Sequence, residues 1–578
     1  MAGRFSWQSV RPRGHGEALG LAAAAAAGAA WLRQRLLGYP PGYFLPVDSV
    51  WPVTAATLLA LVAFGLFLAL AFAAPVLALR RPTAGDSPRA GVIGPAILVV
   101  ALSVALRGAF WRELPGAPWT DGVHALHDAA SAGRFLWPWE AVSLAPAPFG
   151  PSNILLFGGM LDVARVLLVL APDRQLAYAL LSALPGALIP LALFLLTRRL
   201  APPRAALIAG VFAATAFPLL VQARWGWDQQ MMVLLVVLSL ERAAAARDSG
   251  RAGPLLACGL LAGLSLHTYV GSIPAVGALA VFLFGSFLLR RQARAFGAFA
   301  AGLALPALFL ALVYVRRPDA LGGRAAAIRL RGSPSEVAWS VAENAADYVG
   351  LLSFAWDRNT RHGEGDTPPF NAFVAALLPA GLAAAWSRER GLLLAVLAGS
   401  LAGGVLSSPL EAPNGYRAGL ALALALPLAA AGLDALALRA PPSLARAALP
   451  LVVVVASGLC DTTRFLRWGL LSPTAPRFGQ RAAAAGAFAS SVGRQRVAVD
   501  PGILAREDSP FLVAFPVDAT RPLSPLKLLP MRAPDTGACA EFDWIVTSRP
   551  PRGLYTVRLG FPGTPEGSVF AARCGPSR

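Results

Sequence analysis

An all-α polytopic membrane protein of about 11–13 transmembrane helices, ending in a small C-terminal extracytoplasmic α/β domain, is predicted by three features of the sequence. Apolar runs recur along most of the 578 residues and then stop near residue 460. The composition is 56% hydrophobic and 14% charged, more apolar surface than a water-soluble core hides and what a bilayer solvates. Arginines crowd alternate short connections between the runs, as they do where loops face the cytoplasm.

The runs fall at 18–36, 53–79, 91–107, 174–197, 204–221, 229–246, 253–270, 273–289, 296–315, 371–386, 391–408, 418–437 and 443–460. Most have the length of a helix that crosses the hydrocarbon layer. The first is weak and resembles a signal peptide, but Arg33 and Arg35 follow it and another run comes soon after, so it reads as an uncleaved span.

One set of short loops holds Arg4, Arg11 and Arg13; Arg80, Arg81 and Arg89; Arg198, Arg199 and Arg204; Arg242, Arg247 and Arg251; Arg290, Arg291 and Arg294; Arg388 and Arg390; and Arg439 and Arg446. The intervening loops at 38–52, 222–228, 271–272 and 409–417 are poor in arginine. The N-terminus is therefore expected in the cytoplasm, with loops 108–173 and 316–370 and the chain after 461 outside. The same placement explains a net charge of +19 without nucleic acid: the arginines set orientation and meet anionic lipid, and form no duplex-binding stripe. Three regions follow: accessory spans in 1–90, a membrane core in 91–460 and the C-terminal domain in 461–578. Strands are expected there at 496–500, 510–517 and 542–548. Cys539 and Cys574 lie in that domain and are free to pair in an oxidising compartment, whereas Cys258 and Cys460 lie in apolar runs.

Polar residues gather in four islands on the expected outer face. The first is PWTDGVHALHDAASAGRF, where a helix starting at Asp121 puts Asp121, His124 and Asp128 on one face. A carboxylate there suits proton abstraction, although Asp is also a common N-cap. His124, His127 and Asp128 are poorly spaced for a metal, because histidines three apart miss the i, i+4 pairing. No metal or other cofactor is expected, and no CxxC or zinc spacing occurs. The second island is VQARWGWDQQMM, with Arg224 and Asp228, near which the turn GLSLHTYVGSIP carries His267 and Tyr269. The third is SFAWDRNTRHGEGDTPPFNAF, with Asp357, Arg361 and His362, whose arginines suit a phosphate or a sugar. The fourth is SSPLEAPNGYRAGL, with Glu411, Asn414, Tyr416 and Arg417 at the mouth of a span. An arginine there is placed to meet a lipid phosphate, or to snorkel as an anchor.

These four stretches, in this order within about 91–437, resemble the C-superfamily of membrane glycosyltransferases, in particular its protein O-mannosyltransferase and aminoarabinose-transferase-like branch. The resemblance implies transfer of a sugar from a polyprenyl-phosphate donor to an extracytoplasmic acceptor, with inversion at the anomeric carbon. The acceptor is a protein, lipid or glycan, and the setting is a bacterial cytoplasmic membrane. It implies Asp121 and Asp228 as the catalytic acids and Arg417 as the group facing the donor phosphate. His124, Asp128, Arg224, His267, Tyr269, Arg361, His362, Glu411 and Asn414 are expected to line the substrate site. The sequence departs from the family where two adjacent acids are common: Gly122 follows Asp121. A transporter or flippase, with polar groups lining a path, and an inactive scaffold are the competing readings. Against a transporter, the spans are apolar and the charges sit on one side.

Overall fold

The computed structural model describes residues 45–46, 90–109, 141–143, 155–171, 174–226, 228–249, 251–269, 271–289, 293–316, 330–355, 367–385, 391–407, 412–439, 445–470, 497–500, 543–548, 556–560 and 569–574, with isolated positions including 122, 126, 129, 357, 362 and 363. The strand β1 is Leu45–Pro46 and the first helix, α1, is Ala90–Gly108. A short antiparallel pair follows, β2 (Ala141–Ser143) with β3 (Leu155–Phe157), and then α2 (Gly158–Leu170). The helices continue as α3 (Arg174–Leu200), α4 (Pro203–Thr215), α5 (Phe217–Gln222), α6 (Gln229–Ser249), α7 (Ala252–Ser265), α8 (Ser272–Leu289) and α9 (Ala293–Arg316). After them come α10 (Pro334–Gly350), α11 (Ala372–Ala385), α12 (Gly391–Val405), α13 (Gly419–Arg439) and α14 (Ala445–Leu470).

Five of these helices are long and apolar enough to cross a membrane, and six shorter ones are apolar as well. The chain is a multi-pass membrane protein. The spans expected at 18–36 and 53–79 lie outside the described residues. Apolar side chains stand exposed on the bundle's surface, among them Val281 on α8 and Val315 on α9, each more than 70% accessible. In water such residues would be a liability; against lipid they are solvated.

α13 is the axis of the core. Every residue from Gly419 to Asp434 is buried, which fits a helix apolar on all sides. Two helix pairs approach with backbones nearly touching. Gly259 on α7 faces the carbonyl of Phe299 on α9, and Gly302 on α9 faces that of Leu256 on α7; a methyl at either would collide with backbone. Gly381 on α11 and Gly432 on α13 repeat the arrangement. Lipid supplies no hydrophobic drive between helices, so small residues that admit close contact hold such pairs together.

Sequence windows and observed helices differ in three informative places. The run at 204–221 is two helices: Ala216 leaves the α-region at ψ 121°, and Pro218, with no N–H, starts a new segment. The last helix runs ten residues past 460, because its polar tail DTTRFLRW is amphipathic and keeps Phe465 and Trp468 buried. The long loops also hold helices that a hydropathy window passes over. One is α10, which opens with a capping box: Ser333 and Glu336 exchange side-chain and backbone hydrogen bonds.

The C-terminal strands β4 (Val497–Val499), β5 (Trp544–Thr547), β6 (Thr556–Gly560) and β7 (Val569–Arg573) form a mixed sheet in the order β1-β6-β7-β5-β4. Two of the expected strands are there; the one at 510–517 lies outside the described residues. β1 adds to the edge of this sheet, with Leu45 opposite Gly560. Cys574 is disulfide-bonded, and Cys258 and Cys460 are free.

Candidate active site

Three of the polar islands and the turn that carries Tyr269 meet at one end of the helices. The turn after α5 supplies Trp225, the turn after α7 supplies Tyr269, the loop before α11 supplies Asp357 and His362, and the loop before α13 supplies Tyr416. The Trp225 ring lies 5.0 Å from that of Tyr416 and 5.4 Å from that of His362, centroid to centroid. Tyr416 also stacks on His362 at 6.1 Å and meets Tyr269 edge-on at 5.1 Å. Arg198 and Arg199 on α3, Arg247 on α6 and Arg439 on α13 lie at the other end of the same helices.

Asp357 ties two of the islands together. Its carboxylate is hydrogen-bonded to Nδ1 of His362 and accepts the backbone N–H of Gly415 at 2.6 Å. The loop of Ala412–Ala418, which contains a cis Ala412–Pro413 bond, is held from two further sides. The Tyr348 hydroxyl on α10 accepts the N–H of Asn414 at 3.2 Å, and Gln222 Nε2 donates to the Gly415 carbonyl at 3.3 Å. Asn414 Oδ1 in turn accepts the N–H of Arg417 at 3.2 Å. Arg417 is half-buried and within electrostatic reach of Tyr348. Burial pushes the Tyr348 hydroxyl up to about 12, with Arg417 and the Asn414 hydrogen bond opposing, so it stays protonated at physiological pH.

The turn carrying Trp225 is pinned by α3. The Tyr178 hydroxyl donates to the Trp225 carbonyl at 2.6 Å, and the Gly226 N–H donates to Ser182 Oγ at 2.6 Å. Gly226 has φ +60°, and a side chain there would run into the Tyr178 ring. Asp228, buried, stands directly before α6, its carbonyl accepting the Met232 N–H at 3.1 Å. Behind it Gln230 Nε2 donates to Gln222 Oε1 at 3.0 Å.

The first island reaches this turn through Gly122. A methyl on Gly122 would fall 2.7 Å from Tyr178 Cε2 and collide with the Gly226 carbonyl. Gly122, Leu126 and Ala129 are helical and buried, the spacing of one helix face, as the sequence predicts for this stretch. The glycine in place of a second acid thus has a steric reason. Asp121, His124, Asp128, Arg361 and Glu411 lie outside the described residues.

Two expected site residues make other contacts. Arg224 directs its guanidinium at α1, donating to the carbonyls of Leu106 at 3.3 Å and Ala109 at 2.5 Å, and stacks on the Phe465 ring at 5.2 Å. Burial pushes it down to about 9, which leaves it charged at neutral pH. His267 Nε2 is 2.7 Å from the Pro306 carbonyl on α9, and its burial holds the imidazole below its ordinary 6.5. Tyr178 and Tyr348 were not foreseen, since a lone tyrosine in a helix carries no sequence signal for the loop it braces. Trp225 and Tyr416 stood inside the islands but were not among the residues expected to line the site.

No family model and no curated protein matches the chain. Solved structures do. ArnT from Cupriavidus metallidurans matches in its apo state and bound to undecaprenyl phosphate, each with TM-score 0.49 and 15% identity over 84% of this chain and 99% of that one. The Archaeoglobus fulgidus oligosaccharyltransferase in the apo form matches with TM-score 0.46 and 12% identity, over 75% of this chain and 65% of that one. The arabinosyltransferase EmbB from Mycobacterium smegmatis matches with TM-score 0.37 and 14% identity, over 78% and 37%.

Proposed function

We propose that this chain is a membrane glycosyltransferase that moves a sugar from a polyprenyl-phosphate donor to an acceptor on the extracytoplasmic side, with inversion. The observation that carries the reading is the convergence of the islands around Trp225, Tyr269, Asp357–His362 and Tyr416 at the end of the bundle away from its basic ends. Scattered interface anchors have no need to meet; an active site assembled from loops does.

In this reading Asp121 takes the proton of the acceptor hydroxyl. The acceptor oxygen attacks the anomeric carbon from the face opposite the lipid, the bond to the carrier's phosphate oxygen breaks, and the departing charge is met by Arg417. The proton ends on Asp121. Asp228 is the second acid and orients the acceptor. Aromatic faces such as Trp225 and Tyr416 suit the apolar side of a sugar ring. The reading places loop 412–417 at headgroup depth, where a guanidinium pairs with a lipid phosphate. The strand pairing of Leu45 with Gly560 supports putting the 38–52 loop and the C-terminal sheet on one side of the membrane, and a disulfide-bonded Cys574 supports that side being extracytoplasmic. No metal is needed in this scheme, and transfer is expected to survive a chelator.

The test compares glycans and lipid-linked intermediates of cells carrying the native chain or Asp121→Asn, with insertion verified. Accumulation of a lipid-linked sugar together with loss of one glycan is expected. Unchanged profiles with a fully inserted variant would remove the assignment.

A further inference from the structure

Two buried arginines in the described core each serve a helix end belonging to the other's segment. Arg107 stands at the end of α1, 2% exposed. Its Nη1 donates to the Ala214 carbonyl at 3.1 Å and to Ser103 Oγ at 2.8 Å, and its Nη2 to the Ala213 carbonyl at 3.3 Å. Those carbonyls are orphans of the break between α4 and α5. In an unbroken helix they would accept from residues 217 and 218, but Ala216 departs from helical geometry and Pro218 has no N–H. Arg224, beyond α5 and 5% exposed, does the converse: its Nη2 donates to the Leu106 carbonyl in the last turn of α1 and to the Ala109 carbonyl just past it. Each guanidinium therefore sits at the negative end of a helix dipole, which offsets the cost of burying the charge.

We propose that Arg107 and Arg224 form a reciprocal positioning clasp that fixes the end of α1 to the turn after α5, and so sets where the peptide following Asp121 meets Gly226. The clasp fastens the chain where it leaves α1 for the first outer loop; the contact of Gly122 with Gly226 and Tyr178 fastens it again at the far end. Between the two lies the segment that delivers Asp121. Neither arginine touches substrate in this scheme. The catalytic consequence rests on the functional reading above; the clasp itself does not.

The planar fork of Arg107 is what reaches two successive carbonyls, so lysine keeps the charge and loses the geometry. The test measures amide hydrogen exchange on the full-length chain in lipid nanodiscs, for Arg107→Lys, Arg224→Lys and the double variant, beside transfer kinetics. Either single variant is expected to speed exchange roughly tenfold or more in both segments, 104–109 and 216–226, the scale of losing one charge-assisted hydrogen bond. The double variant should be no worse than the worse single one, because both break one unit. In transfer, kcat should fall while the donor KM stays within about twofold, since a misplaced acid slows chemistry and leaves donor binding intact. Exchange that rises only around the substituted residue, or effects that add in the double variant, would overturn the clasp. A raised donor KM for Arg224→Lys with normal exchange at 104–109 would overturn it too, and would make Arg224 a substrate contact. Should Arg107→Lys fail to insert, Ser103→Ala removes one bond from the same guanidinium and is judged by the same exchange criteria. If the native chain transfers no sugar, the functional reading fails, and exchange alone still decides the clasp.

Discussion

Gly122 lies flat against Gly226: a methyl on the former would collide with the carbonyl of the latter and stand 2.7 Å from the Tyr178 ring. Two backbones more than a hundred residues apart touch because neither carries a side chain. Gly122→Asp, which would restore the paired acids common in the resembled family, is therefore expected to lower transfer and not to raise it. The overpacking alone should cost roughly 1–3 kcal/mol, read as a fall in melting temperature in detergent. Transfer equal to or above the native rate in Gly122→Asp would show that the gap opens easily and that the glycine is not a packing requirement.

The Gly226 turn gives a second expectation. Its left-handed backbone strains any other residue by about 1–2 kcal/mol, and Tyr178 closes the space besides. Tyr178→Phe removes the bond to the Trp225 carbonyl and should destabilise by about 0.5–1.5 kcal/mol, the net worth of a typical intramolecular hydrogen bond. Because Trp225 packs on Tyr416 and His362, the variant should also shift tryptophan emission; an unmoved spectrum with unmoved stability would mean that the hydroxyl holds nothing in place.

How far the sequence reached can be judged residue by residue. Hydropathy reports averages along the chain, so it found the apolar helices and missed the break at Ala216, where one proline redirects the chain. Tyr269 and His362 were legible as site residues because each stretch breaks an apolar pattern, whereas Trp225 and Tyr416 lay in the same stretches without being counted among them. What joins them was not legible. The reach of Asp357 to Gly415, and of Tyr178 to the Trp225 carbonyl, depends on how helices stack, and no local spacing encodes that. Arg224 makes the same point: the sequence places it in a polar island among the residues expected to line the substrate site, and only the folded chain brings its fork onto backbone carbonyls at the end of α1.

Asp357 supports a third expectation. Its carboxylate bonds to the His362 ring and the Gly415 N–H, so it fixes the loop that carries Arg417. Asp357→Asn should cost about 1.5–3 kcal/mol, the scale of hydrogen bonds to a charged group, and should slow transfer. His362→Ala should do less to the loop, because the Gly415 bond survives. Equal protease susceptibility of loop 412–417 in native and Asp357→Asn protein would contradict this.

His267 predicts a pH dependence of stability. Its folded pKa lies below 6.5 through burial, with the Pro306 hydrogen bond opposing. The unfolded chain therefore binds the proton more readily, and stability falls as pH drops from 6.5 towards the lower folded value. His267→Gln should flatten the part of a melting-temperature profile that lies below about pH 6.5, leaving the profile above it unchanged. An equally steep decline in the variant would locate the titrating group elsewhere.

Arg417 is the sharpest test of the donor half of the site. Its backbone is fixed by Asn414, and that loop by Asp357 and Tyr348, so the guanidinium is presented from a braced support. If it meets the leaving phosphate, its value is greatest when the bond to the sugar breaks. Arg417→Ala should then lower kcat/KM for the donor by about 10²–10³, the scale of losing one preorganised charge-stabilising group. The acceptor KM should move little. Arg417→Lys should recover part of the rate, because the charge returns without the fork. Tyr348→Phe, which removes the brace but leaves the charge, should fall between the native protein and Arg417→Ala. A loss shared equally between donor and acceptor, or full activity in Arg417→Ala, would take the phosphate away from this arginine and leave it a membrane anchor.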